Sequence, residues 1–402
     1  MTAPHLRRLA AALLAGLLLV PVLRTAAADA GGGDTGGHLT LSGVVRAKDG
    51  RGIPNAVVDL DTTGGTTDAT GHYVASGVPD GVQGITIDAT CFARKTTSLT
   101  FTGNLTKDFT LDRNHDAFGH TCFERPAAAP TPTDVVPLTG DDASLTVPLP
   151  FAFPFYGTPQ QQAIVSTNGY LTFSPRGEGT EDFRNGPLLD PKTPTNGIFA
   201  FWDDLVIDGP AQVRSASFGK APSRLFQLEW SRARIIGTES RITVDLLLTE
   251  GGQIEVRWEP EFIDVRTEGE SATIGIRDAV AGASGQAVQA LFDTPLLTPG
   301  RAIDFVVNHA PVAHAGPDRT ITSGAGFTLD GSGSTDPDGG EAPVLTWTQT
   351  AGPTTTIKTP HQAKTQVVGV KGPKTLTFQL KAVDRLGLVS TDRVTIKVKA
   401  PA

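Results

Sequence analysis

The chain has 402 residues, which at about 100–200 residues per domain means two to four domains rather than one small fold. Apolar residues make up 39% and glycine adds 45 more positions, enough to build cores, so wholesale disorder is excluded. Net charge is −8, from 34 basic and 42 acidic residues spread along the chain, so no basic footprint for nucleic acid or an anionic membrane is present. Threonine, a β-branched strand former, occurs 51 times, and the only methionine is the first residue. The composition predicts an all-β protein.

In chain order, Arg7 and Arg8 precede an apolar run from Leu9 to Leu23, followed by Arg24 and the small residues Ala26, Ala27, Ala28 and Ala30. This layout reads as a secretory signal peptide over 1–30, cut after Ala28 or Ala30, which predicts a secreted, extracellular product. The rival reading, a membrane anchor, needs about 20 apolar residues, more than this run supplies. No later stretch approaches a span, so membrane insertion is not expected. A Gly-rich leader occupies 31–38.

Residues 39–123 read as short strands separated by turn signals about every ten residues, the spacing of a small β-sandwich. Gly43, Val45, Gly50, Pro54, Ala56, Val58, Thr67, Asp68, Gly71, Tyr73, Val78, Pro79 and Gly81 follow a G-x-V, D-G, P-x-A-x-V, T-D-x-x-G-x-Y, V-P-x-G frame. The segment resembles the carboxypeptidase regulatory-like (transthyretin-like) domain, which implies a folding or spacing module without protease chemistry. Residues 124–134, rich in Pro and Ala, read as a linker.

Residues 135–307 form the largest module. Val244, Leu246 and Leu248 alternate with Thr243, Asp245 and Leu247, and Glu250-Gly251-Gly252 turns into Gln253–Trp258. This pattern predicts an antiparallel hairpin with one half-buried face. Phe151, Phe153, Phe155, Tyr156, Phe199, Phe201 and Trp202 are assigned to the core rather than to an exposed adhesive patch. With the runs LPFAFPFYG, VSTNGYLTF and FAFWDDL, the segment looks like the nidogen-type extracellular β-domain. Residues 308–400, with GSGSTDPDG, a strand carrying Trp347, and Val383, Asp384 and Gly387 in a V-D-x-x-G corner, look like a PKD-type immunoglobulin-like domain. The expected fold is therefore all-β, three tandem β-sandwich-type domains behind a cleaved signal peptide.

Chemistry-bearing patterns are sparse. No G-x-S-x-G or H-E-x-x-H motif occurs, so no catalytic residue is assigned and the chain is read as not an enzyme. Cys91 and Cys122, an even pair in an exported chain, are expected to form a disulfide, with two buried free thiols as the alternative. His115, His120 and Cys122 offer only three zinc ligands, one of which a disulfide would remove. The carboxylate pairs Asp141-Asp142, Asp203-Asp204 and Asp336/Asp338 sit in turns, where capping is the ordinary role.

No cofactor is required on this reading; calcium is the one metal considered, as a structural ion. Some PKD-type domains hold calcium between an Asn at the domain start, Asp residues in the D-x-D-G turn and the corner Asp, and Asn308, Asp336, Asp338 and Asp384 match those positions. Other domains of the type bind no metal, and His309 follows Asn308 where metal-binding relatives often carry an acidic residue. The functional expectation is a secreted, non-catalytic modular protein that binds a polysaccharide or an extracellular or cell-surface protein, and not nucleic acid. Its alternatives are an accessory subunit of a secreted hydrolase and a spacer without a ligand.

Overall fold

The computed structural model describes residues 39–127, 131–174, 183–324, 326–338 and 342–400; the segments 1–30, expected as a signal peptide, and 31–38, expected as a Gly-rich leader, lie outside the described residues. Strand accounts for 54% of the described residues, which hold no α-helix, only a 3-10 turn at Gly282–Ser284. The all-β expectation holds.

The first module packs two four-stranded sheets face to face. One places Leu39–Ala47 between His72–Val78 and the short strands Leu105–Thr106 and Phe109–Leu111; the other runs Thr63–Thr66, Val57–Leu60, Gly81–Asp88, Lys95–Phe101. Alternation supplies the core: Val58 and Leu60 are fully buried while Asp59 between them is exposed, because successive side chains leave a strand on opposite faces. Leu41, Val45, Tyr73, Ile85, Ile87 and Phe109 join them in one cluster.

The second module is a sandwich of a nine-stranded and a six-stranded sheet. Between the sheets lie Phe153, Phe155 and Phe201, each at most 1% exposed, together with Trp230 and Trp258. Phe199 and Trp202 are equally buried but belong to a smaller cluster with Tyr170; the aromatic residues are core, and only Tyr156 is half-buried.

The predicted hairpin is present, Arg241–Thr249 against Ile254–Pro260, with Val244 opposite Trp258 and Leu246 opposite Val256. Its second face departs from the expectation: Asp245 is 4% and Leu247 3% exposed. The reason is position. The hairpin lies inside the nine-stranded sheet, where Asp245 stands between Glu229 and Arg257 on the neighbouring strands and accepts a hydrogen bond from Gln227 Nε2 at 2.7 Å.

The two ends of the main strand path of that sheet are formed by His120–Pro126 and Asp134–Val136. The stretch 124–134, expected as a linker, thus opens with three residues of an edge strand: Glu124, Arg125 and Pro126 pair with Ile303, Ala302 and Arg301. Arg125 explains why a Pro/Ala-rich stretch begins as strand, since its guanidinium reaches Asp304 at 2.5 Å and Glu255 at 2.6 Å and ties the edge to two strands at once.

The third module stacks a four-stranded sheet (Arg319–Ile321, Val389–Val398, Lys374–Val383, Val344–Ala351) on a three-stranded one (Phe327–Asp330, Lys364–Val368, Thr356–Ile357). Trp347, 1% exposed, sits in its core with Phe378, Leu380 and Ile396.

Candidate functional site

The cysteines predicted to pair do so, and they join two modules. Cys91 leaves the first module in a left-handed conformation (φ 68°), and Cys122 lies on the edge strand His120–Pro126 of the second. They form a disulfide with Cα atoms 5.5 Å apart, and both are fully buried in the second module's core. Hydrogen bonds flank the bridge: Cys91 N donates to Ala290 O at 2.9 Å, Asn114 Nδ2 to Gln289 O at 2.6 Å, and Arg94 Nη2 to Thr294 Oγ1 at 2.7 Å. With Cys122 oxidised, the His115, His120, Cys122 trio lacks its thiolate, and His120 turns instead to Asp116.

Beside this seam the segment after the first module meets the turn between Ser144–Phe155 and Thr158–Ser166. Asp116 is the hub. Its Oδ1 accepts the backbone N–H groups of Gly119 and His120; its Oδ2 accepts Tyr156 Oη–H at 2.8 Å and lies 3.2 Å from His120 Nδ1. Burial pushes the Asp116 carboxyl up, but the hydrogen bonds from His120 and Tyr156 outweigh it and hold the group below its ordinary value. Burial, reinforced by Asp116, drives the Tyr156 phenol far above its usual range, so it stays a neutral donor.

Phe118 stacks on His120 with ring centroids 4.8 Å apart and meets Tyr156 edge-on at 5.3 Å. It is 36% exposed and lines an open cleft of about 260 Å³ together with Val280, with Gln160, Asn196, Asp278 and Gln286 as polar lining. Gln286 Oε1 is buried and meets no donor among the described residues, a condition that costs about 1–3 kcal/mol. None of these cleft residues was singled out for binding in the sequence. Phe118 carries no periodic signal, and Asp278 and Gln286 reach the cleft only through the pairing of Thr273–Arg277 with Ala287–Phe292.

Two carboxylate pairs that were separate turns in the sequence come together. One oxygen from each of Asp141, Asp142 and Asp204 lies within 4.8 Å of the others, the one such group among the described residues. Asn168, fully buried, bridges them: its Nδ2 donates to Asp142 Oδ1 at 2.9 Å and its Oδ1 accepts Leu205 N–H at 2.9 Å. Asp203 turns inward, accepts Ser271 Oγ–H at 2.6 Å, and is pushed up to about 6 by burial.

In the third module, Asn308 Nδ2 donates to Asp384 Oδ2 at 2.7 Å, while Asp338 accepts from His309, backbone N–H and Nδ1 alike, with Nδ1 at 2.7 Å. Asp336 Oδ1 accepts Asp338 N–H at 3.0 Å. The four residues are thereby linked two by two: Asn308 with Asp384, and Asp336 with Asp338. The corner also touches the first module, since Lys381 Nζ donates to Asp49 O at 3.2 Å, and Asn308 N donates to Gly119 O at 2.7 Å.

Fold and sites define a multidomain chain of extracellular-type β modules. Family comparison says the same module by module. Residues 40–112 match the carboxypeptidase regulatory-like domain, residues 123–312 the family described as NIDO related, and residues 315–398 a PKD domain family. The chain carries these three domains in that order.

No curated protein matches it. Among solved structures, the PKD domain of the KIAA 1837 protein is 30% identical over 22% of this chain and 87% of that one, with a TM-score of 0.21. A nucleoside hydrolase-related hypothetical protein from Saccharophagus degradans, associated with carbohydrate metabolism, is 23% identical over 23% of this chain and 26% of its own, with a TM-score of 0.20. Protocadherin gammaB7 EC3-6 aligns over 89% of this chain and 72% of its own at 9% identity, with a TM-score of 0.19.

Proposed function

We propose that this protein is exported and acts as a non-catalytic modular binder of a polysaccharide or an extracellular or cell-surface protein. The observation that supports this most is the disulfide between the first two modules: it needs an oxidising compartment, and it ties together domains of non-catalytic type. No helix among the described residues is long and apolar enough to cross a membrane. The signal-peptide pattern of residues 1–30 agrees with export.

On the same reading Asn308, Asp336, Asp338 and Asp384 hold a structural calcium, which wants six to eight oxygen ligands. The contact between Asn308 and Asp384 supports it, and the contact of His309 with Asp338 would have to open. A sedimentation pull-down against insoluble polysaccharides, peptidoglycan and collagen, in calcium and in EDTA, tests both. Capture is expected on at least one matrix. Loss of capture in EDTA, reproduced by Asp384→Ala, supports the calcium; capture indifferent to both removes it, and no capture on any matrix removes the binding function.

A further inference from the structure

We infer that the cleft between Phe118 and Val280 is a saccharide subsite that takes one pyranose ring of a neutral polysaccharide. This rests on the binding function proposed above and names the ligand class for one site.

The lining carries the inference. A pyranose is apolar on its faces and polar around its rim, so it is recognised by an aromatic ring beside amides, hydroxyls and carboxylates. Phe118 supplies a phenyl ring that is 36% exposed and held in place by the stack on His120 and the edge contact with Tyr156. His120 and Tyr156 are themselves fixed by Asp116, so the platform costs little ordering on binding. Gln160, Asn196, Gln286 and Asp278 surround it with amide donors and acceptors and one carboxylate.

Charge decides between ligand classes. None of the lining residues is basic, so an anionic glycan or phosphate meets no counter-charge and faces Asp278. Size decides how the ligand enters. At about 260 Å³ the cleft lies below the roughly 300 Å³ at which pockets for whole small molecules begin, and it is open, which suits one ring of a chain that continues past both ends.

The test is affinity sedimentation of the purified protein on cellulose, chitin and starch granules, with polygalacturonate gel as the acidic control and collagen as the protein control, followed by titration with cellohexaose and chitohexaose. Retention on a neutral polysaccharide is expected. Phe118→Ala should weaken it by at least about tenfold, the scale of a central aromatic contact. Phe262→Ala, an exposed phenyl (69%) outside the cleft, should leave it unchanged. If Phe118→Ala melts early, Val280→Asp, at a position 48% exposed, gives the same readout in a folded protein. Neutral-polysaccharide binding that survives both variants overturns the cleft while the binding function stands. Retention on polygalacturonate or collagen alone overturns the saccharide class assigned to the cleft, and retention on nothing overturns the binding function as well.

Discussion

Asp245 stands opposite Glu229 and beside Arg257 in the middle of a sheet, 4% exposed, and burial pushes its carboxyl up to about 7 despite the Gln227 hydrogen bond. A raised carboxyl means that the folded state holds a proton the unfolded chain has released between about pH 4 and 7. Stability therefore falls as pH rises through that window, and the cost is complete above pH 7. Asp245→Asn keeps the acceptor for Gln227 and removes the charge; it is expected to raise stability at pH 8 by roughly 2–4 kcal/mol and to flatten the decline between pH 4 and 7. Urea unfolding of both proteins at pH 4, 6 and 8 checks this, and equal slopes against pH would contradict it.

At the scale of elements, the turns do as much as the strands. The corner after Lys374–Val383 reverses at Gly387, whose φ is 92° and whose Cβ, if present, would press on the Asp49 and Arg51 side chains of the first module. Any side chain there meets both backbone strain and a neighbouring domain. Gly387→Ala is expected to lower stability by about 1–3 kcal/mol, whereas Gly300→Ala, also at positive φ (77°) but with nothing within 4 Å, should cost less. The difference between their melting temperatures reports the contact with Asp49 and Arg51.

Over the described chain, Lys381 of the third module donates to the backbone of Lys48 and Asp49 in the first, and the disulfide holds the first module to the second. Its closed loop of 31 residues is worth about 3.5 kcal/mol on the chain-entropy view. Because the bridge crosses a module boundary, its loss should do more than lower one transition. The Cys91→Ala/Cys122→Ala double variant is expected to unfold earlier, with the first module separating before the second. Calorimetry that shows one transition of unchanged shape would contradict that.

The amino-acid pattern alone determined the all-β class, the order of the three modules and the aromatic core, because alternation, turn residues and recurring frames such as T-D-x-x-G-x-Y are local and leave their trace in consecutive positions. It also identified Cys91 and Cys122 as a pair. Only the tertiary structure decided that this pair spans two modules, that Glu124–Pro126 belong to an edge strand, that Asp245 is buried on the supposedly open face, and that Asp141, Asp142 and Asp204 converge. The cleft at Phe118 is of the same kind, with Asp116, Tyr156, Asp278 and Gln286 brought from segments up to 170 residues apart. Each of these depends on which strands become neighbours, and strand pairing is set by the summed burial of whole sheets, a quantity that no short run of residues encodes.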